Sequence, residues 1–396
     1  MLAHRLTFSP QQEESFFDEL PAAAAVFLLR GDGEPYVSKT ANLRWRLQRF
    51  LGPVAEHSKR LNLRDRVREL EFTLTGSDFE SQFVLYRLQR ETFPKTYSAR
   101  LRLRPAPLVK LHLENKFPRA SVTTRLKRLE SGPGEDAPES KSNLCYGPFP
   151  SRAAAEKFAS DALDLFKMRR CVEDLNPDPS FPGCVYSEMK MCLAPCFKGC
   201  TDDEYHREVA RVQAFLDTAG RSLVRELEKQ REHASAELAF EEAAAIHARI
   251  EKLKPVLSQL PEIVRRMDRL RALIVQPGAE PGSVCLFLFE NCALRGPVPF
   301  HIELQAGSHS MESRVEQAIV NFPFTKAHSN VERMEHLALL KRWYYRSQRI
   351  GEIFFADDKG GWPLRRIVRA IGRVYRGEKS PEIATFSATQ NPAPPS

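Results

Sequence analysis

Residues 171–200 read CVEDLNPDPSFPGCVYSEMKMCLAPCFKGC and hold five of the chain's eight cysteines: Cys171, Cys184, Cys192, Cys196 and Cys200. Neither a helical nor a strand period accounts for that density. Pro177, Pro179, Pro182 and Gly183 bar a helix between Cys171 and Cys184. Pro195 and Gly199 interrupt the four-residue spacing of the last three cysteines, so a turn is expected there, leading into a helix after Asp202. A backbone broken in this way can wrap around an ion and aim several sulfurs inward. Disulfides, structural free thiols and a thiolate metal or iron–sulfur site are the competing readings. The opening MLAHRLTFSPQQEESFF has no apolar core of signal-peptide length, so a reducing cytoplasm is the expected compartment. Clustered thiols there point to metal. Four thiolates complete either a tetrahedral zinc or a four-iron cluster, and spacing does not separate the two. Five cysteines leave one spare, expected to be Cys200.

The totals bound the rest. A chain of 396 residues should hold two or three domains, and 42% hydrophobic with 28% charged residues is ordinary for a soluble globular protein. No apolar run approaches the roughly 20 residues needed to cross a bilayer, so no membrane partner is expected. The net charge of +8 suits a polyanion, nucleic acid above all. Between Arg87 and Arg128 there are twelve Lys/Arg against two acids, Glu91 and Glu114.

Working outward, Ala22–Arg30 is an apolar run fit for a buried strand, GDGEP is a turn, and Tyr36–Ser38 is its hairpin partner. Phe16 and Phe17 can pin the lead-in to this unit. A helix is predicted over 40–51, with Leu43, Leu47 and Phe50 inward and Arg44, Arg46 and Arg49 outward. Ser77 and Glu80 form a capping box for the next helix. Strands are expected at Val109–Leu113 and Ser121–Leu126, within a basic region whose Arg102, Arg104, Lys110, Arg125, Lys127 and Arg128, together with Arg44, are candidate DNA contacts. A helix over 153–168 delivers Cys171, two helical stretches fill 202–257, and a helix end falls at 265–273. Val284–Phe289 is a buried strand of a hairpin, with Cys285 and Cys292 as buried thiols. Trp343, Tyr344 and Tyr345 among arginines, then Arg365, Arg369, Arg373 and Arg376 at helical spacing, suggest a second nucleic-acid surface. The tail SATQNPAPPS is expected to be disordered.

AVFLLRGDGEPYVSKTANLRWRLQRFLG resembles the opening of the GIY-YIG nuclease domain of the UvrC family of excision-repair proteins. The resemblance implies that Tyr36 holds the second motif's tyrosine position, Lys39 the lysine after it and Arg46 the helix arginine. It also implies losses. Phe27 stands for the first tyrosine, Leu85 for the metal-binding glutamate and Ser98 for the asparagine near the domain's end. Glu80 lies five residues before Leu85, about 140° around a helix, and cannot stand in for it. A Mg²⁺-dependent endonuclease site of impaired activity is the expectation, with Mg²⁺ bound only if the site works. Tyr146–Ser151 and the ending Cys192-Leu193-Ala194-Pro195-Cys196 also resemble the family, which implies a [4Fe–4S] cluster on Cys171, Cys184, Cys192 and Cys196, zinc being the alternative. AELAFEEAAAIHARIEKLKPVL resembles the UVR motif, the helical hairpin that joins UvrC to the helicase subunit UvrB, and this implies partner contacts through Phe240, Glu241, Ala244 and Ile250.

The chain thus reads as α+β: a GIY-YIG-like domain over 15–103, basic strands and the cysteine cluster over 104–201, a UVR-like hairpin over 202–260, an α+β region over 265–380 and a tail over 381–396. The expected function is excision repair with DNA and a UvrB-type partner; the alternative is a non-catalytic DNA-binding scaffold with a structural metal or iron–sulfur centre.

Overall fold

The computed structural model describes residues 2–11, 15–53, 61–126, 143–303, 310–323 and 328–378; Lys127, Arg128 and the 381–396 tail lie outside the described residues. The first unit runs β1 (His4–Thr7), α1 (Ser15–Asp18), β2 (Ala25–Gly31), β3 (Tyr36–Thr40), α2 (Leu43–Leu51), β4 (Val67–Leu74) and α3 (Asp78–Thr92). Its antiparallel sheet has the order β1-β4-β2-β3. The apolar run in β2 is buried from Ala25 to Leu29 because both faces are covered. Phe27 and Leu29 pack with Leu43, Leu47 and Phe50 of α2, while Val26 and Leu28 pack with Val84, Leu85 and Leu88 of α3. Phe17, 1% exposed, joins the α2 side and pins the lead-in as expected.

The sequence of α3 serves two cores at once. Val84, Leu85 and Leu88 face the first sheet, while Phe79, Phe83 and Tyr86 enter the largest core of the molecule. Ser77 caps the helix by accepting the Glu80 amide at 3.1 Å. The Glu80 carboxylate accepts from the Gly76 amide at 2.7 Å, one residue before the amide a capping box would use.

After α4 (Tyr97–Leu101), a second antiparallel sheet is built from β5 (Leu108–Leu111), β6 (Ala120–Thr123), β7 (Leu144–Gly147) and β8 (Arg265–Arg266), in the order β6-β5-β7-β8. Between β7 and β8 the chain makes one long excursion: α5 (Arg152–Leu163), the cysteine loop with its single-turn α6 (Val185–Glu188), then α7 (Asp202–Asp217), α8 (Arg221–Ala236) and α9 (Phe240–Leu257). Three helices replace the two expected over 202–257. The extra break falls at Gly220, whose φ of 85° ends the α7 turn and whose missing Cβ would lie 2.0 Å from Leu257. The helix expected over 153–168 stops at Leu163. Residues 265–273 are not a helix end: Arg265 and Arg266 pair with Gly147 and Tyr146, and the next strand begins at Ala272.

The third sheet has the order β11-β10-β9-β12, from β9 (Ala272–Pro277), β10 (Ser283–Glu290), β11 (Ala293–His301) and β12 (Glu352–Phe355), all antiparallel. It carries α10 (Met311–Val320) and α12 (Leu364–Tyr375) against one face and α11 (Asn330–Tyr344) with α3 against the other. β10 is buried on both faces: Val284, Leu286 and Leu288 join one core, Cys285, Phe287 and Phe289 the other. Three antiparallel sheets with packed helices make the fold α+β.

Candidate functional site

The residues of the nuclease-like motif do not converge. A strand sends neighbours to opposite faces, so Tyr36 and Lys39, an odd number apart on β3, point to opposite sides of the first sheet. Tyr36 lies on the α2 side, edge-on to Phe50 with ring centroids 5.2 Å apart. The Arg46 guanidinium stacks on the same Phe50 ring at 4.5 Å, and its Nε atom is buried with no hydrogen-bond partner. Phe27 is fully buried beside them, opposite Ser38 in the ladder. Lys39 instead pairs with Asp78, which also binds Arg346, just past the end of α11. Leu85 packs with Val26 and Leu28 on that second face, and Ser98 is exposed on α4. Tyr36 and Arg46 therefore meet on one side of the sheet, while Leu85 lies on the other.

The basic candidates are scattered over several elements. Arg44 donates to the Leu20 carbonyl at 2.8 Å, and Arg102, Arg104 and Arg125 are exposed. Lys110 sits in β5 between β6 and β7, is only 8% exposed, and faces protein rather than solvent. The aromatic surface expected near the end of the chain is interior. Trp343 is buried with its Nε1–H donating to Ile350, and the Tyr345 hydroxyl donates to Pro148. The arginine stripe is largely neutralised: Arg373 forks onto the buried Glu352 at 2.9 and 2.7 Å, and Arg376 pairs with Glu378. These acids lie on other turns and strands, so spacing along the helix does not disclose them.

The cysteine loop is held open by its own backbone. Gly183, Lys190, Ala194 and Lys198 all take positive φ, and single turns at 185–188 and 195–197 redirect the chain between cysteines. The Asp178 amide donates to the Cys196 carbonyl at 2.9 Å, closing the two halves of the loop, and the Leu193 amide ties it to Lys167 at 3.0 Å. The Ala194 amide points at the Cys192 sulfur, 3.3 Å away. Burial pushes the Cys192 thiol up to about 11, and Cys171, Cys196 and Cys184 are near enough to add their repulsion. The four thiols thus face a common space. Among the described residues, the group of three ligating side chains whose ligand atoms all fall within 4.8 Å lies elsewhere. Cys200 lies beside Cys196, with Glu204 and Asp202 close by.

Beneath this loop lies a residue that sequence reading missed. Arg169 is 2% exposed and donates to Phe117 O, Glu173 O, Cys171 O and Cys171 Sγ. Its neighbour Arg170 turns outward to Asp164 and Tyr186. Nothing in MRRC marks which arginine goes inside.

Past the loop, α8 and α9 form an antiparallel hairpin whose tip is apolar and bare. Leu238 is 71% exposed and Phe240 65%. Glu241 and Ala244 are exposed along α9, while Ile250 is half-buried against the large core.

The compact ligand group is His328, Glu332 and His336, at the start of α11. Its protonation argues against a metal. His336 Nδ1 accepts the Leu294 amide at 3.1 Å, which leaves the ring hydrogen on Nε2. Metal-bound histidines instead donate their second nitrogen's hydrogen. Burial, then His328, pushes His336 down to about 3, and Glu332 is already engaged by Arg90 and by His328 at 2.8 Å.

The site thus consists of a cysteine-rich loop carried by a small sheet and followed by a helical hairpin with an exposed apolar tip. Comparison with known proteins gives it a lineage. Residues 107–215, from β5 to α7, match the family described as UvrC/Cho excinuclease, middle domain, and residues 221–254 match the UvrB/uvrC motif. The chain is 28% identical over 269 residues to the UvrABC system protein C of Rickettsia akari (strain Hartford), covering 67% of this chain and 38% of that protein. It is 27% identical over 290 residues to the protein of the same name from Rickettsia canadensis (strain McKiel), covering 72% and 43%. The chain thus carries two segments similar to UvrC-type proteins, and spans about two-fifths of the length of the curated relatives it matches. No solved structure matches it. The Gly220 turn lies between the two matched segments, so α7 goes largely with the cysteine loop and the matched motif covers the α8–α9 hairpin. No described helix is long and apolar enough to cross a membrane.

Proposed function

We propose that this chain acts in nucleotide excision repair as a DNA-binding protein that docks a UvrB-type helicase subunit and does not itself cut DNA through its first domain. The observation that carries the docking is the α8–α9 hairpin: it matches the UvrB/uvrC motif and leaves Leu238 and Phe240 uncovered at its tip. Two large apolar side chains side by side in water favour a partner's groove. The non-cutting reading is supported by the split of Tyr36 and Arg46 from Lys39 and Leu85 across the sheet. Phosphodiester hydrolysis needs a metal and an activated water at one phosphate, and groups on opposite faces of a sheet cannot share one. The Cys171, Cys184, Cys192 and Cys196 loop holds an iron–sulfur cluster. Four thiolates can each bind a different iron of such a cluster, and the centre orders a loop that otherwise has few apolar contacts.

One experiment tests this. The purified chain is titrated with damaged duplex in a salt series, with and without a UvrB-type subunit and Mg²⁺. Expected are a steep fall of log affinity with log salt, partner binding weakened at least tenfold by Phe240→Ala, and no nicking. Nicking abolished by Tyr36→Phe would overturn the non-cutting reading, and a Phe240→Ala variant that binds the partner as the wild type does would overturn the docking one.

A further inference from the structure

The structure assigns Arg169 as the buried counter-charge and positioning residue of the cysteine centre, fixing Cys171 and tuning the metal–thiolate group that Cys171 helps to hold. The inference rests on the cysteine-centre reading above. A guanidinium in the protein interior is costly unless an anion answers it. Here three carbonyls, those of Phe117, Cys171 and Glu173, satisfy hydrogen bonds but bring no charge. Among the described residues no carboxylate pairs with Arg169; the remaining contact is the Cys171 sulfur at 3.4 Å. A metal-bound thiolate set is anionic, so it supplies the missing charge at the place where the guanidinium points.

The surroundings make Arg169 rigid. Its backbone amide donates to the Tyr205 hydroxyl at 3.1 Å, and that hydroxyl donates to Pro118 O at 2.7 Å. Phe117 and Pro118 lie in the connection before β6, and Tyr205 is fully buried on α7. The guanidinium is therefore clamped between the second sheet and α7, and it hands that rigidity to the first ligand of the loop. A planar fork can span Glu173 O, Phe117 O and the Cys171 sulfur together; an ammonium keeps the charge but cannot span all three.

The test uses the full chain purified anaerobically, as wild type, Arg169→Met and Arg169→Lys. Iron, sulfide and zinc content are measured first, then the rate of metal loss to a chelator, then the reduction midpoint followed by visible absorption. R169M should lose metal at least tenfold faster than wild type. If the metal is an iron–sulfur cluster, R169M should also be at least tenfold harder to reduce, about 59 mV more negative for a one-electron couple. Removing a positive charge disfavours the more negative, reduced form. R169K should restore the midpoint while still losing metal faster, a separation that a purely structural role would not produce. Should R169M not fold, R169K decides alone: a midpoint displaced tenfold, or for a zinc centre an unchanged rate of loss, overturns the assignment. Metal-bound wild type with R169M indistinguishable from it overturns the assignment by itself. A wild type without metal overturns the cysteine-centre reading and the assignment with it.

Discussion

Replacing Glu80 by glutamine should change how stability depends on pH. Glu80 is 6% exposed at the joint between α3 and β10, where Phe79 meets Phe287 at 5.0 Å. Burial raises its carboxyl from the ordinary 4.5 to about 7, against the lowering effects of the Gly76 amide and the Cys285 thiol. The folded protein thus holds a proton that the unfolded chain releases between pH 4.5 and 7. Stability from this group is full below 4.5 and falls as pH rises to 7, by about 3 kcal/mol in all. At the same joint the ring of His336 lies edge-on to that of Phe83, 5.6 Å away, and its depressed pKa acts in the opposite sense. Its neutral ring contributes stability that is full above 6.5 and is lost as pH falls toward 3. Between about pH 4.5 and 6.5 the two slopes offset, so the wild type should be nearly flat there. Glu80→Gln keeps an acceptor for the Gly76 amide and removes the falling slope. Urea unfolding from pH 4 to 8 should then show E80Q stability rising by about 1.4 kcal/mol per pH unit across that window. Its gain over wild type should be about 3 kcal/mol larger at pH 7.5 than at pH 4.5. Wild-type and E80Q curves that run parallel through the window would refute the reasoning.

Two further substitutions probe the first and second sheets. Leu85→Glu places a carboxylate against Val26 and Leu28; it should lower stability by about 2 kcal/mol or more and leave Mg²⁺-dependent nicking absent in the assay above. Tyr146→Phe deletes the 2.8 Å hydrogen bond to Asp217, which still pairs with Arg266 at 3.5 Å; a loss of about 1.5–3 kcal/mol is expected for a bond to a charged acceptor, read by urea unfolding at pH 7.

Much of the fold was legible where local composition and burial agree. β2 and β10 are apolar runs because each is covered on both faces, and the proline-broken cysteine loop declares itself without any partner strand. What escaped was set by distant residues. β8 is two residues long and exists only because β7 offers it an edge. Trp343 and Tyr345 read as a surface platform because arginines flank them, yet α11 is wedged between α3 and the third sheet, which leaves the arginines outside and the rings within. The divided nuclease motif was, by contrast, open to simple arithmetic. Residues 36 and 39 cannot share a face of a regular strand, and matching residue types to a motif passed over that parity.

Helix α7 is the physical link between the cysteine loop and the α8–α9 hairpin. Near its start, Tyr205 holds the Arg169 amide, while near its end Phe215 lies 3.2 Å from the place a Gly220 Cβ would occupy. Leu257, at the far end of α9, closes on the same turn. The hairpin also touches α7 through the Arg211–Glu226 ion pair at 2.9 Å. The Cys171 side of the loop is clamped through Arg169 and Tyr205, whereas the Cys184 side is held by its own turns and by Tyr186 against the Arg170 guanidinium. If the loop holds the proposed centre, its ligands tie these two sides together beside the helix that leads to the α8–α9 hairpin.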